Sequence, residues 1–449
     1  MERKKLGLGS KLGYGIGDLG CNLLSGAAGS FITMYYTDSV MLGAAFVGTF
    51  MLFTRLLDGI SDIIMGAIID KTYTKYGKAR PWVLFSLIPL IISFLLLFNV
   101  PSGLSMRGKE IYAVLTYIFN GVVCYTAVNT SYSTLCTLMS PDPNERTSLS
   151  GVRMFFSSLA VLIANSYTVA LMASFGGGQK GFMMMAVIYS AVAFVCILIT
   201  GLSCKEYHIE TKAEAGRKEK KPLAESVKIL LGNKYTIFLA LAFVFNWATL
   251  VLNGGATIYF VRDVLGNMNL IAVISLCGSI PGLIVLATGI VPRCVMKFGK
   301  KKTLLFGAIL QAVGYLIVLV APKQMAILIT GVVIKSMAIG FVNTLLFATV
   351  ADVADFIDVK HKINIAGMTN SIVSFGMKVG VGLGSAALGW MLAWGGYSAE
   401  LANNGMAQSA QTVSAEIFCF SGIPFICAIV VLICTLFLDV DEKLKKLRG

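Results

Sequence analysis

Three stretches of the chain, Val83–Val100, Met183–Leu202 and Phe418–Leu438, contain no charged side chain. Each is close to the length of about 20 residues that a helix needs to cross hydrocarbon. Such a segment satisfies its backbone polar groups internally only as a helix, which is what a lipid interior demands. A water-soluble core would be broken by polar turns at shorter intervals. Composition agrees: 56% of the 449 residues are hydrophobic and 13% charged, where soluble chains carry about 25% charge. Mean hydropathy is +0.79. A soluble globular fold is therefore excluded, and an all-α membrane protein is expected.

Apolar runs between polar breaks predict about twelve spans. They centre on Gly15–Tyr36, Ala44–Ile69, Trp82–Val100, Ile111–Met139, Val152–Ala173, Gly181–Gly201, Tyr235–Val261, Leu270–Val291, Thr303–Val320, Met325–Val350, Ala366–Trp394 and Ser414–Leu438. The net charge of +14 is not spread evenly. Basic residues collect in Glu2–Lys5, Lys71–Arg80, Lys205–Lys234, Arg293–Lys302 and Lys443–Arg448, at even-numbered breaks on one side of the membrane. The positive-inside rule makes that side cytoplasmic, so both termini are expected there, in a multi-pass protein of the inner or plasma membrane. No aromatic-interleaved basic patch accompanies the charge, which argues against a nucleic-acid partner. The expected partners are the lipid bilayer, a monovalent cation and a small molecule; the sequence is silent on oligomeric state.

The cysteines form no C-x-x-C pair, and Cys124, Cys136, Cys196, Cys277, Cys427 and Cys434 lie in apolar runs. They read as small apolar side chains rather than disulfides or zinc ligands, and no cofactor is implied. The start, Met1-Glu-Arg-Lys-Lys, lacks a cleavage site after a short apolar stretch, so the first span is expected to be retained. His208 and His361, the two histidines, both fall in segments expected to be cytoplasmic. With no cluster of catalytic groups, no enzyme is indicated.

The long hydrophilic segment 204–234, rich in Lys, Glu and Ala, divides the spans into two groups of six. Residues 1–203 read as one half, 204–234 as a cytoplasmic linker and 235–449 as the other half. The halves echo each other. Gly66-Ala-Ile-Ile-Asp70 leads into Lys75-Tyr-Gly77-Lys78-Ala-Arg80 after the second span, and Gly289 leads into Lys297-Phe-Gly299-Lys300-Lys301-Lys302 after the eighth. A duplicated transporter would show this placement. The first of these loops also resembles the signature of the major facilitator superfamily. There, an acid such as Asp70 and cations such as Arg80 can lock a cytoplasmic gate.

Ionisable residues inside spans are costly and mark pathways or paired sites. Asp58 and Asp62, in Arg55-Leu-Leu-Asp58-Gly-Ile-Ser61-Asp62, lie four apart and so on one helix face. Two close carboxylates repel unless a cation or proton sits between them. Hard oxygen ligands, with the Ser61 hydroxyl among them, suit Na⁺; a protonatable carboxyl suits H⁺. A salt bridge to Arg55 or Lys378 is the plainer alternative, and the two readings can coexist. Arg153, Lys335 and Lys378 are further intramembrane cations that can counter an acid or grip an anionic substrate. Asn22, Asn129, Ser133, Asn343 and Ser374 supply neutral donors and acceptors for a hydroxylated molecule, or else bond helix to helix. Asp352 and Asp355 are helix-end acids able to meet Arg146 or Lys300.

Several ordered motifs carry a family resemblance: Tyr14-Gly-Ile-Gly-Asp18, Tyr36-Thr-Asp38, Arg55-x-x-Asp58-x-x-x-Asp62, Tyr76-Gly-Lys-Ala-Arg80-Pro81-Trp82, Glu145-Arg146 with Arg153, and Lys378. Together they resemble the glycoside–pentoside–hexuronide:cation symporters, the family of melibiose permease and glucuronide permease, along nearly the whole chain. The resemblance implies a major facilitator fold and alternating-access uptake of a sugar, glycoside or hexuronide coupled to Na⁺ or H⁺. It implies a cation site at Asp58, Asp62, Ser61 and Thr126. It implies sugar contacts at Asn22, Asn129, Ser133 and Arg153, with Asn343 and Ser374, and a lysine, Lys378, linking the halves. Asn22 and Asn129 stand where melibiose permease has carboxylates, which favours substrates other than simple galactosides. Losing two negative charges also makes a hexuronide more acceptable. The rivals are a drug:proton antiporter of the same fold, against which the paired-aspartate motif argues, and a non-transporting membrane sensor.

Overall fold

The computed structural model describes residues 6–140, 143–207, 230, 232–361, 366–441 and 443–444. Helices account for nearly all of the described residues, and they contain no strand beyond one isolated bridge, Thr74 to Gly77. The chain forms two compact units, residues 1–219 and 220–449. Most of the hydrophilic segment at 204–234, with His208, lies outside the described residues.

In the first unit the helices are α1 (Leu8–Met34), α2 (Ala44–Asp70), α3 (Arg80–Phe85), α4 (Leu87–Leu97), α5 (Met106–Ile118), α6 (Thr126–Met139), α7 (Pro143–Ser174) and α8 (Gly178–Ser203). α1 packs along both α7 and α8, and its glycines allow that approach. A Cβ on Gly17 would sit 2.3 Å from the Thr200 hydroxyl of α8, closer than any real contact. Just past the C-terminal end of α1, Tyr35, Phe98 and Phe182 form an aromatic core, with Tyr35 5.4 Å from Phe98 and 5.1 Å from Phe182 between ring centroids. A widened π-helical turn, Phe119–Tyr125, joins α5 to α6.

The second unit contains α9 (Lys234–Tyr259), α10 (Leu270–Ala287), α11 (Ile290–Phe298), α12 (Lys300–Val320), α13 (Met325–His361), α14 (Ala366–Trp394), α15 (Ala399–Asn403), α16 (Ala410–Ile417) and α17 (Ile423–Phe437). α9 packs on α14 and α17, and α12 on α13. Gly380 and Gly384, one turn apart on α14, face α9 so closely that a Cβ would meet the Val244 and Ala248 carbonyls at 2.3 and 2.6 Å. Small residues at this spacing let membrane helices touch backbone to backbone. The unit's core includes Phe243, Val342, Leu346, Ile357 and Val431.

Ten described helical stretches are long and apolar enough to cross a membrane, against the twelve expected. They correspond to the third through twelfth expected spans. The helices at the first two positions, α1 and α2, are 27 residues each; one carries Asp18, the other Arg55, Asp58 and Asp62. Outward-facing side chains such as Ile63, Phe85, Ile88, Val320 and Trp394 are exposed and as apolar as the core. Contiguous apolar surface of this kind is a liability in water and the correct surface in lipid.

Candidate functional site

The first unit carries the two clusters that bear on function. One lies on α2. Asp58 is buried and Asp62 half-buried, one helical turn apart, as their spacing requires. The Thr126 hydroxyl, just past the π-helical turn, donates to Asp58 Oδ1 at 2.7 Å. Ser61 Oγ donates to the Asp58 carbonyl at 2.9 Å and lies 3.1 Å from Thr126 Oγ1. Thr130, one turn along α6, donates to Asp62 Oδ1 at 3.2 Å. Two carboxylates and three hydroxyls therefore converge between α2 and α6. All are hard oxygens, which favour alkali and other hard cations over soft ones. Arg55 Nη1 is 3.5 Å from Asp58 Oδ2, and its guanidinium lies 5.8 Å from the Tyr117 ring centroid. The intrahelical ion pair thus exists beside the oxygen cluster.

Asp58, Ser61, Asp62 and Thr126 are the four residues expected at a cation site, and the structure brings them together. Thr130 was not anticipated. Its only advance signal is its position four residues after Thr126, which places both hydroxyls on one face of α6.

The second cluster surrounds Arg153 of α7. Its Nε donates to Asp18 Oδ1 of α1 and its Nη1 to Ser133 Oγ of α6, both at 3.2 Å. The guanidinium lies 5.1 Å from the centroid of the Tyr132 ring. Tyr132 stacks on Tyr14 with centroids 4.5 Å apart and planes within 3°, and its hydroxyl donates to the Tyr14 carbonyl at 2.6 Å. Both tyrosine rings are buried, so Tyr132 packs a helix junction and offers no free stacking face. Asn22 lies one turn from Asp18 on α1 and donates to its carbonyl at 2.9 Å. Asn129 lies one turn from Ser133 on α6. Asn22, Asn129, Ser133 and Arg153 are all half-buried, and Asp18 is the acid that holds Arg153. The motif Tyr14-Gly-Ile-Gly-Asp18 was visible in the sequence, but nothing in it names a partner 135 residues away.

In the second unit Asn343 accepts from Asn246 Nδ2 at 2.7 Å. Ser374 and Lys378 lie one turn apart on α14, both half-buried. Among the residues expected to gate, Asp352 forms an ion pair with Lys300 inside this unit, while Asp355 is exposed. The Asp70 side chain lies outside the described residues. Arg146 donates to the Ser140 carbonyl at 2.6 Å.

Arg80 has a well-defined local role. Its Nε donates to the Gly201 carbonyl at 2.7 Å and its Nη2 to that of Leu202 at 3.2 Å. It thereby caps the carbonyl end of α8, where a cation is favoured. Glu206 closes the same junction, accepting from the backbone N–H groups of Lys78, Ala79 and Arg80 at 3.0, 2.8 and 3.1 Å. Gly77 lies beneath this carboxylate with φ +109°, and a Cβ there would meet Glu206 at 2.2 Å. Both the left-handed backbone and the space demand glycine. Gly77→Ala is expected to lower the melting temperature of detergent-purified protein. The strained φ alone costs about 1–2 kcal/mol, and Glu206 must also move. Melting unchanged from wild type would show that the junction does not need glycine.

The sequence from 13 to 442 matches the MFS/sugar transport protein family. The chain belongs to this family. It is accordingly a multi-pass transmembrane transporter with the major facilitator fold, and not an enzyme. Among its relatives is the isoprimeverose transporter of Lactiplantibacillus pentosus, 31% identical over 96% of this chain and 88% of the relative. The inner membrane symporter YicJ of Escherichia coli (strain K12) is 29% identical over 95% of this chain and 90% of its own length. In fold, the family member resembles the crystal structure of a mutant of the nucleoside transporter NupG. That likeness has a TM-score of 0.67 at 14% identity and covers 95% of this chain and 99% of the other.

Proposed function

We propose that this family member is a cation-coupled symporter that takes up a sugar, glycoside or hexuronide by alternating access. The coupling ion, Na⁺ or H⁺, would bind at Asp58 and Asp62 with the hydroxyls of Ser61 and Thr126. Asn22, Asn129, Ser133 and Arg153 would hold the sugar, with Asn343, Ser374 and Lys378 contributing from the second unit. The convergence of two carboxylates and three hydroxyls between α2 and α6 carries this reading. A cation between Asp58 and Asp62 relieves their mutual repulsion. If the relieved state is the one that binds sugar, each ligand raises the affinity for the other by the same factor. Relatives that transport isoprimeverose and that act as symporters support the sugar and the coupling. Asp70, Arg80, Arg146, Asp352 and Asp355 would serve the cytoplasmic gate, and segment 204–234 would connect two six-helix halves with both termini in the cytoplasm.

The test is uptake by reconstituted vesicles across a panel of glycosides and glucuronides, with Na⁺ present or absent and with a proton gradient imposed. Accumulation above the external concentration is expected only when one cation gradient points inward. Equal uptake without any gradient would make the protein a facilitator and remove the coupling role from the aspartate pair.

A further inference from the structure

The second unit holds a buried lysine that the proposed cycle leaves unused. Asn246 and Asn253 stand about two turns apart on one face of α9. Asn246 donates to Asn343 at 2.7 Å, and Lys335 Nζ donates to Asn253 Oδ1 at 2.8 Å. The α13 partner numbers fall as those of α9 rise, so both bonds belong to one ladder between antiparallel helices. Lys335 is 3% exposed. Its ammonium lies 4.4 Å from the Phe420 ring centroid and 5.0 Å from that of Tyr315. Among the described residues no carboxylate pairs with it. The amide and the two rings stabilise the cation but do not neutralise it. A lysine at this depth without an acid is costly and marks a functional site.

We propose that Lys335 sets the charge selectivity of transport. The ammonium form of Lys335 favours a sugar bearing a carboxylate over the neutral sugar of the same shape, and it acts through its field rather than by contact. The inference rests on the reading of Asn343 as a sugar-binding residue. From Lys335 to Asn343 the helix rises about 12 Å. At the effective dielectric of a protein interior, a unit charge at that distance changes the affinity for an anionic group about tenfold.

The experiment uses the full chain in vesicles and pairs of glycosides that differ only in a hydroxymethyl or a carboxylate group. The readout is the ratio of kcat/KM for the uronide to that for the neutral sugar. Lys335→Met is expected to lower this ratio about tenfold, and Lys335→Arg to keep it. Asn253→Asp sets a carboxylate against the ammonium and is expected to lower the ratio with the lysine in place, which serves if Lys335→Met does not insert. A ratio unchanged in both Lys335→Met and Asn253→Asp, with uptake intact, overturns the assignment and leaves the symporter reading standing. A wild-type protein that carries neither sugar of any pair overturns the symporter reading and this inference with it.

Discussion

Vesicles containing Asp58→Ala are expected to lose accumulation of sugar against its gradient altogether, whichever cation is supplied. Asp58 is the buried member of the α2 pair, bonded through Oδ1 to Thr126. Removing an anionic ligand forfeits an interaction worth about 3 kcal/mol with a charged partner, or about 100-fold in cation affinity. It also leaves Arg55 without the carboxylate it faces at 3.5 Å. Asp62→Ala is expected to act in the same direction. Thr126→Ala removes one neutral donor worth about 1 kcal/mol and is expected to weaken cation activation about fivefold while accumulation persists. This ordering separates a cation site from a mere helix contact. Should Asp58→Ala vesicles still concentrate sugar as wild type does, the aspartate pair has no part in coupling.

Arg153→Ala carries the second large effect, and it divides into two measurable parts. Arg153 is the base that meets the buried Asp18 and also reaches Ser133. Truncating one partner of a buried pair leaves the other charge uncompensated, at a cost of about 3 kcal/mol. The single variant is therefore expected to melt well below wild type and to lose sugar uptake. Adding Asp18→Asn removes the stranded charge. The double variant is expected to recover most of the melting temperature and none of the uptake, because the guanidinium proposed to orient the sugar is still missing. Recovery of both would reduce Arg153 to a structural ion pair. Recovery of neither would place the damage in the Tyr14–Tyr132 packing beneath it.

The charge-bearing helix faces were legible in the chain itself. The four-residue spacing of Asp58 and Asp62 puts both on one side of α2 because helical geometry is local. The partners were not legible. Thr130 against Asp62, Asp18 against Arg153, and Glu206 over the backbone of Lys78–Arg80 join residues 68, 135 and 126–128 positions apart. No periodicity links such positions, and many helix pairings would bury the same apolar faces.

Arg80 shows the difference most directly. As a basic residue in a short loop expected to be cytoplasmic, it satisfies the positive-inside rule and fits a gate signature. Folded, it caps the carbonyl end of α8 within its own unit, a role its neighbours in sequence do not reveal. Sequence alone determined that this protein spans a membrane as helices and which faces of them carry charge, since both follow from composition and a 3.6-residue period. Which charge meets which hydroxyl or carbonyl was decided only by tertiary packing, where one helix–helix arrangement satisfies the buried polar groups that lipid cannot.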